Sequence, residues 1–217
     1  MNDGGGDRAI GRQGGAPDVQ RLLAPPPLAR LAHSLLDRPG TLAEADAEVR
    51  RAAVALVLRA GARGELDLLF IERSVYPGDP WSGQVAFPGG RREPFDDTLR
   101  ETAVRETREE LGFDLERDGV ILGTLDEIYP RTPVLPPIVV RPYVAVVAPE
   151  VSLVLSEEVA GAFWVPVDVL RNPDSSVDAT VHVRGVDRLV PSLRHERYTI
   201  WGMTERICRN FLTLIGS

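Results

Sequence analysis

Apolar residues along this chain fall into two kinds of run. Over residues 52–58 and 66–71 they are nearly continuous and of strand length, with Ala60-Gly61-Ala62-Arg63-Gly64 between them, a pattern that predicts a β-hairpin. Shorter runs predict strands at 84–87, 120–128, 138–147 and 162–167, and a late hairpin from residues 180–190 and 198–201. The 84–87 strand is expected to end at Pro88-Gly89-Gly90, where a loop leads on to the central helix. Elsewhere the apolar spacing is helical. Leucines and alanines over 19–36, interrupted by Pro25-Pro26-Pro27, predict two short helices stopped by Pro39-Gly40, and residues 205–215 predict a closing amphipathic helix. Residues 98–111 predict the central helix, with Thr98 and Glu101 as a capping box and Gly112 as the stop. Strands and helices are mixed without regular alternation. The expected class is therefore α+β, an α/β/α sandwich with a mixed β-sheet flanked by helices.

At about 100° per residue, Leu99, Ala103, Val104, Thr107 and Leu111 of the central helix share one arc that should face the sheet. Glu106 and Glu110 lie one turn apart at the edge of that arc and Glu109 just outside it, so three carboxylates converge beside the buried face. Arg105 is expected to hold the cluster by pairing with Glu101 and Glu109. Glu–Arg pairs on a solvated helix face are common and offer a structural explanation. The order of strand, glycine pair, loop, helix and terminal carboxylates favours a second one. Like charges so close need a cation between them, and carboxylate oxygens suit a hard cation such as Mg²⁺.

Composition narrows the picture. The 217 residues and 43% hydrophobic content suit one compact domain with an extra segment. The expected division is a disordered Gly-rich tail at 1–17, a helical extension at 18–48 and the main domain at 49–217. A net charge of −7 argues against coating nucleic acid or anionic membrane. Every basic residue is arginine, a bias that a GC-rich coding sequence also explains. The lone Cys208 rules out an intramolecular disulfide and reads as a core residue of the last helix. His33, His182 and His195 form no ligand pair by spacing. With no apolar run of spanning length and no secretory pattern, a cytoplasmic protein is expected.

The segment Arg105-Glu106-Thr107-Arg108-Glu109-Glu110-Leu111-Gly112-Phe113 resembles the second half of the box of the Nudix hydrolases, with Thr107 where an aliphatic residue is usual. Counting back from Arg105 puts Asp97 at the box's first glutamate and Arg91 at its glycine, so that Gly90 lies one place early and the loop is one residue longer. The resemblance implies Glu106 and Glu110 as ligands of Mg²⁺ or Mn²⁺. It implies Glu109 as a ligand through water or as the general base, and the Gly90 carbonyl as a further ligand. Arg105 would orient the glutamates. The reaction would be attack of activated water on a diphosphate linkage.

Flanking segments are similar to the coenzyme A pyrophosphatase branch of that family. They include Arg73-Ser74, Phe87-Pro88-Gly89-Gly90, Leu135-Pro136-Pro137-Ile138, Arg141-Pro142-Tyr143-Val144, Ala162-Phe163-Trp164-Val165-Pro166 and Trp201-Gly202-Met203-Thr204. That likeness implies hydrolysis of coenzyme A or its derivatives to 3′,5′-ADP and (acyl)phosphopantetheine. ADP-ribose or another nucleoside diphosphate is the alternative, and a non-catalytic nucleotide-sensing module a third reading. The branch's second arginine would fall at Gly78. Arg73 can contact phosphate or form a strand-end salt bridge, and Trp81 can stack on adenine or cap its loop. Arg91 can meet phosphate or stay solvated, and Glu158 can approach the metals or be a surface carboxylate. The partner expected is a small-molecule nucleotide, with neither nucleic acid nor membrane, and a homodimer stays open.

Overall fold

A computed structural model describes residues 17–61, 64–76, 81–130, 137–183 and 185–216. Residues 1–16 of the expected tail, Gly78 and its neighbours at 77–80, and Leu135-Pro136 lie outside the described residues. In chain order the helices are α1 (Val19–Leu22), α2 (Pro26–Asp37), α3 (Leu99–Leu111), α4 (Val167–Arg171) and α5 (Gly202–Ile215). The strands are β1 (Arg50–Ala60), β2 (Leu66–Arg73), β3 (Val85–Ala86), β4 (Gly89–Arg91), β5 (Gly119–Thr124), β6 (Ile138–Val147), β7 (Val159–Pro166), β8 (Ser176–Val183), β9 (Val186–His195) and β10 (Tyr198–Trp201). Among the described residues no helix is long and apolar enough to cross a membrane.

β1 organises the larger sheet, which is mixed as expected. It runs parallel to β6 from Arg50, opposite Ile138, to Leu58, opposite Val146. Its pairing with β2 is antiparallel but covers only Leu58–Ala60 against Leu66–Leu68. Beyond that point the hairpin arms splay. β3 fills the opening on the β2 side, against Ile71 and Glu72, and β4 on the β1 side, against Ala52–Val54. β7 pairs along β2 and β5 along β6. Alternate residues of β1 face opposite ways. Ala53, Ala55 and Val57 face α3 through Leu99, Ala103 and Leu111, while Ala52, Leu56 and Leu58 join a core shared with α2 and α5. Helices therefore cover both faces of the sheet.

Two local expectations are corrected. The glycine pair forms strand β4 where the end of a strand and a loop were expected. Gly89 has φ +147°, and a side chain there would strike the Ala53 carbonyl, so glycine is what lets the two backbones pair. The late hairpin is a separate three-stranded antiparallel sheet, β10-β9-β8. Gly185, at φ +81°, splits the apparently continuous 180–190 run into β8 and β9.

Candidate active site

The start of α3 is fixed by its own sequence. The Thr98 hydroxyl accepts the Glu101 amide proton at 3.2 Å, and Gly112 ends the helix at φ +76°. Glu101 accepts from the Asp97 N–H at 2.7 Å, one residue before the position a capping box uses. That removes Glu101 from the predicted pairing with Arg105.

Arg105 turns instead to Asp96. Its Nε and one terminal nitrogen donate to the two carboxylate oxygens at 3.0 and 2.9 Å. The same guanidinium donates to Glu106 and Glu109, both at 2.9 Å, and to the Arg91 carbonyl at 3.0 Å. Asp96 is buried and also accepts from the Glu93 N–H and the Thr102 hydroxyl. The Arg105 guanidinium holds the Asp96 carboxyl down to about 2, and its own pKa rises in response. Sequence reasoning missed Asp96 because it counted backward from Arg105. Counted forward from Gly90, the spacing of a glycine, five residues and an acid ends on Asp96, and the extra residue lies between that acid and Arg105.

Glu106 and Glu110 emerge where β3 and β4 bridge the splayed arms. Glu110 is fully buried inside the helical arc, not at its edge, and its carboxylate accepts the Gly89 N–H at 2.8 Å. A Cβ on Gly90 would collide with the Glu106 carboxylate, so glycine also brings this backbone against the acid. Burial pushes the Glu110 carboxyl up to about 8. The Gly89 N–H and Arg73, whose guanidinium is 4.0 Å away, pull it down, while Glu106 and Glu158 push it further up. Glu106 is raised first by burial and then by Glu109 and Glu158, against the pull of Arg105. Glu158 reaches the group from the β7 side, where the Ser74 N–H donates to its carbonyl at 2.9 Å.

These groups open onto a cleft of about 500 Å³. Arg73, Gly90, Glu106, Glu110 and Glu158 line one part of it. Trp81 and Arg91 also line it, with the Arg91 guanidinium 5.8 Å from the Trp81 ring centre. Of the sequence-predicted residues, Arg105 and Glu109 do not line it. Arg105 lies behind the carboxylates, and the Glu109 side chain is 56% exposed. Residues of β8, β9 and the first turns of α5 also line it, which the sequence pattern did not attach to the site.

Among the described residues no three His, Cys, Asp or Glu side chains are already gathered as ligands. The chemistry nevertheless fits a divalent cation. Every nearby donor is a hard oxygen, glycine brings the β4 backbone against a carboxylate, and two of the acids have pKa values raised by burial and mutual repulsion.

The NUDIX domain profile matches residues 49–183. The chain is 32% identical to the mitochondrial coenzyme A diphosphatase of Homo sapiens over 181 residues, 81% of this chain and 75% of that protein. It is 33% identical to the Nudix hydrolase NudL of Klebsiella pneumoniae over 137 residues, 63% of this chain and 69% of that protein. Among solved structures, the MutT/nudix family protein from Enterococcus faecalis aligns with a TM-score of 0.52 at 17% identity. The alignment covers 81% of this chain and 65% of that one, a likeness of fold.

Proposed function

The chain belongs to the NUDIX domain family and is a Nudix pyrophosphohydrolase, and from that premise we propose that it hydrolyses coenzyme A or its derivatives with Mg²⁺ or Mn²⁺. The products are 3′,5′-ADP and (acyl)phosphopantetheine, released in the cytoplasm. The observation that carries the reading is a single cleft that joins the carboxylates of Glu106, Glu110 and Glu158 to an apolar wall. The likeness to a coenzyme A diphosphatase supports the choice of substrate.

Glu106, Glu110 and the Gly90 carbonyl are the groups that would hold the cation, with Glu158 beside them at the cleft. When bound, it lowers the pKa of water and neutralises charge on the diphosphate oxygens. Arg73, beside Glu110, binds a phosphoryl oxygen and offsets the negative charge brought by the substrate. Arg105 touches no reacting atom; anchored by Asp96, it sets the positions of Glu106 and Glu109. Glu109 stands outside the cleft lining, which supports its role through an intervening water over that of general base. The base role passes to Glu158, exposed at the cleft beside the buried pair. Its carboxylate takes the proton as the water oxygen bonds to phosphorus and the bond from phosphorus to the bridging oxygen breaks. One water is consumed and two phosphomonoesters form. Trp81 stacks on the adenine and Arg91 borders the phosphates.

Gly78, standing in place of the branch's second arginine, favours ADP-ribose or another nucleoside diphosphate as the second reading. A panel of coenzyme A, acyl-coenzyme A, ADP-ribose, NADH and diadenosine polyphosphates, compared by kcat/KM with Mg²⁺ and with Mn²⁺, decides between them. Coenzyme A or an acyl form should lead. A lead of an order of magnitude for ADP-ribose would establish the second reading, and no turnover of any member would leave the sensing module.

A further inference from the structure

β8 and β9 pair Val183 with Val186, Val181 with Arg188 and Ala179 with Val190. Directly opposed residues share a face, so over these three pairs one side of the hairpin is valine and alanine except for Arg188, and the next pair on that side is Val177 with Ser192. The other side carries the pairs Thr180–Leu189 and His182–Asp187, the latter joined by a hydrogen bond of 2.8 Å. Val183, Arg188 and Val190 line the cleft together with Met203 and Ile207 of α5. Along the same side, beyond the cleft lining, Val186 is 53% exposed. This apolar strip is therefore only partly used in packing the core, and it continues the same cavity that contains Glu106 and Glu110. A diphosphate and a nucleotide have no use for such a surface. A long, flexible and largely apolar chain attached to the diphosphate does.

We propose that the inner face of the β8–β9 hairpin, with Met203 and Ile207, is the subsite for the pantetheine arm and its acyl extension. Arg188 supplies N–H donors for the amide carbonyls of that arm while its alkyl stem lies on the valines. The hairpin thereby sets the preference among acylated forms. This rests on the coenzyme A reading of the cleft.

The test uses the full chain with Mg²⁺ and compares Val183→Asp and the near-isosteric Val183→Thr with the unsubstituted protein. Val183→Asp should raise KM for a medium-chain acyl-coenzyme A roughly tenfold while kcat stays within about twofold. Val183→Thr should shift KM the same way by less. The Ki of 3′,5′-ADP, the half of the substrate without the arm, should not move. A Ki that rises in step with KM would overturn the subsite, because the damage would then be general. An unshifted KM in both variants would also overturn it, and if Val183→Asp fails to fold, the threonine variant decides. Failure of the unsubstituted protein to cleave any form of coenzyme A would overturn the functional reading and the subsite with it. Turnover with unshifted KM removes the subsite alone.

Discussion

Around Glu110 polar atoms are tied down by named partners: Gly89 to Glu110, Arg105 to Asp96, Glu106 and Glu109, Thr102 to Asp96, Ser74 to the backbone at Glu158. In another part of the cleft lining, the β8–β9 hairpin contributes Val183, Arg188 and Val190, and among the described residues these have no comparable network. The acidic wall holds charge in place against its own repulsion, which takes directional bonds. The apolar wall contributes area, which under the proposed subsite would accommodate chains of different length. If chemistry and selectivity are divided in this way, substitutions on the two walls should separate kcat from KM.

The largest effect should come from Glu110→Gln. Loss of a buried ligand carboxylate should lower kcat on the order of 1000-fold in steady-state assays with Mg²⁺, with the fold kept, since the amide can still accept the Gly89 N–H. Full activity in that variant would remove the acidic wall from the chemistry.

Asp96→Asn should come next. It breaks the buried pair with Arg105, so about 3 kcal/mol of stability should be lost in urea melts. With Glu106 and Glu109 no longer held, kcat should drop about 30-fold. A variant that lost stability but kept kcat would show that Arg105 braces the fold without positioning the carboxylates.

The acidic wall should also betray itself by pH. Asp96, held at about 2 against an ordinary 3.8, contributes stability that is present above pH 3.8 and lost as pH falls through about 2. Glu110 has the opposite sign. Raised to about 8 from an ordinary 4.5, in the metal-free protein it makes a contribution that is fully present below pH 4.5 and lost as pH rises through about 8. Mg²⁺ should therefore raise Tm more at pH 8 than at pH 5, and Glu110→Gln should flatten that difference.

The smallest effect belongs to binding alone. Trp81→Ala should raise KM about tenfold for adenine-containing substrates through lost stacking, with kcat nearly unchanged. A drop in kcat of similar size would mean that Trp81 caps its loop and shapes the acidic wall, blurring the division between the two sides.

What was legible in the sequence follows the range of the interactions. α3 could be read because its caps, arc and carboxylates all lie within one helix and its flanks. Asp96 escaped because a single inserted residue moves the acid in one direction of counting and not in the other. β4 escaped because a glycine pair reads locally as the end of a strand, whereas its reason for being glycine is Ala53 on another strand. Placing Arg73 and Glu158 beside Glu110 needs β2, β7 and α3 assembled together, and no local pattern encodes that. The selectivity wall was hidden for the same reason, compounded by Gly185 dividing what looked like one strand.

The parallel pairing of β1 with β6 has a bearing on how the enzyme comes into being. Arg50 meets Ile138 only after the intervening chain, the whole of α3 included, has been spun out and looped back. Closing so long a loop is entropically costly and slow, while α3 can gain helical structure early from local signals. A nascent chain that has already formed its acidic helix thus lacks the strand that completes the sheet beneath the cleft. Activity should appear late in synthesis and all at once.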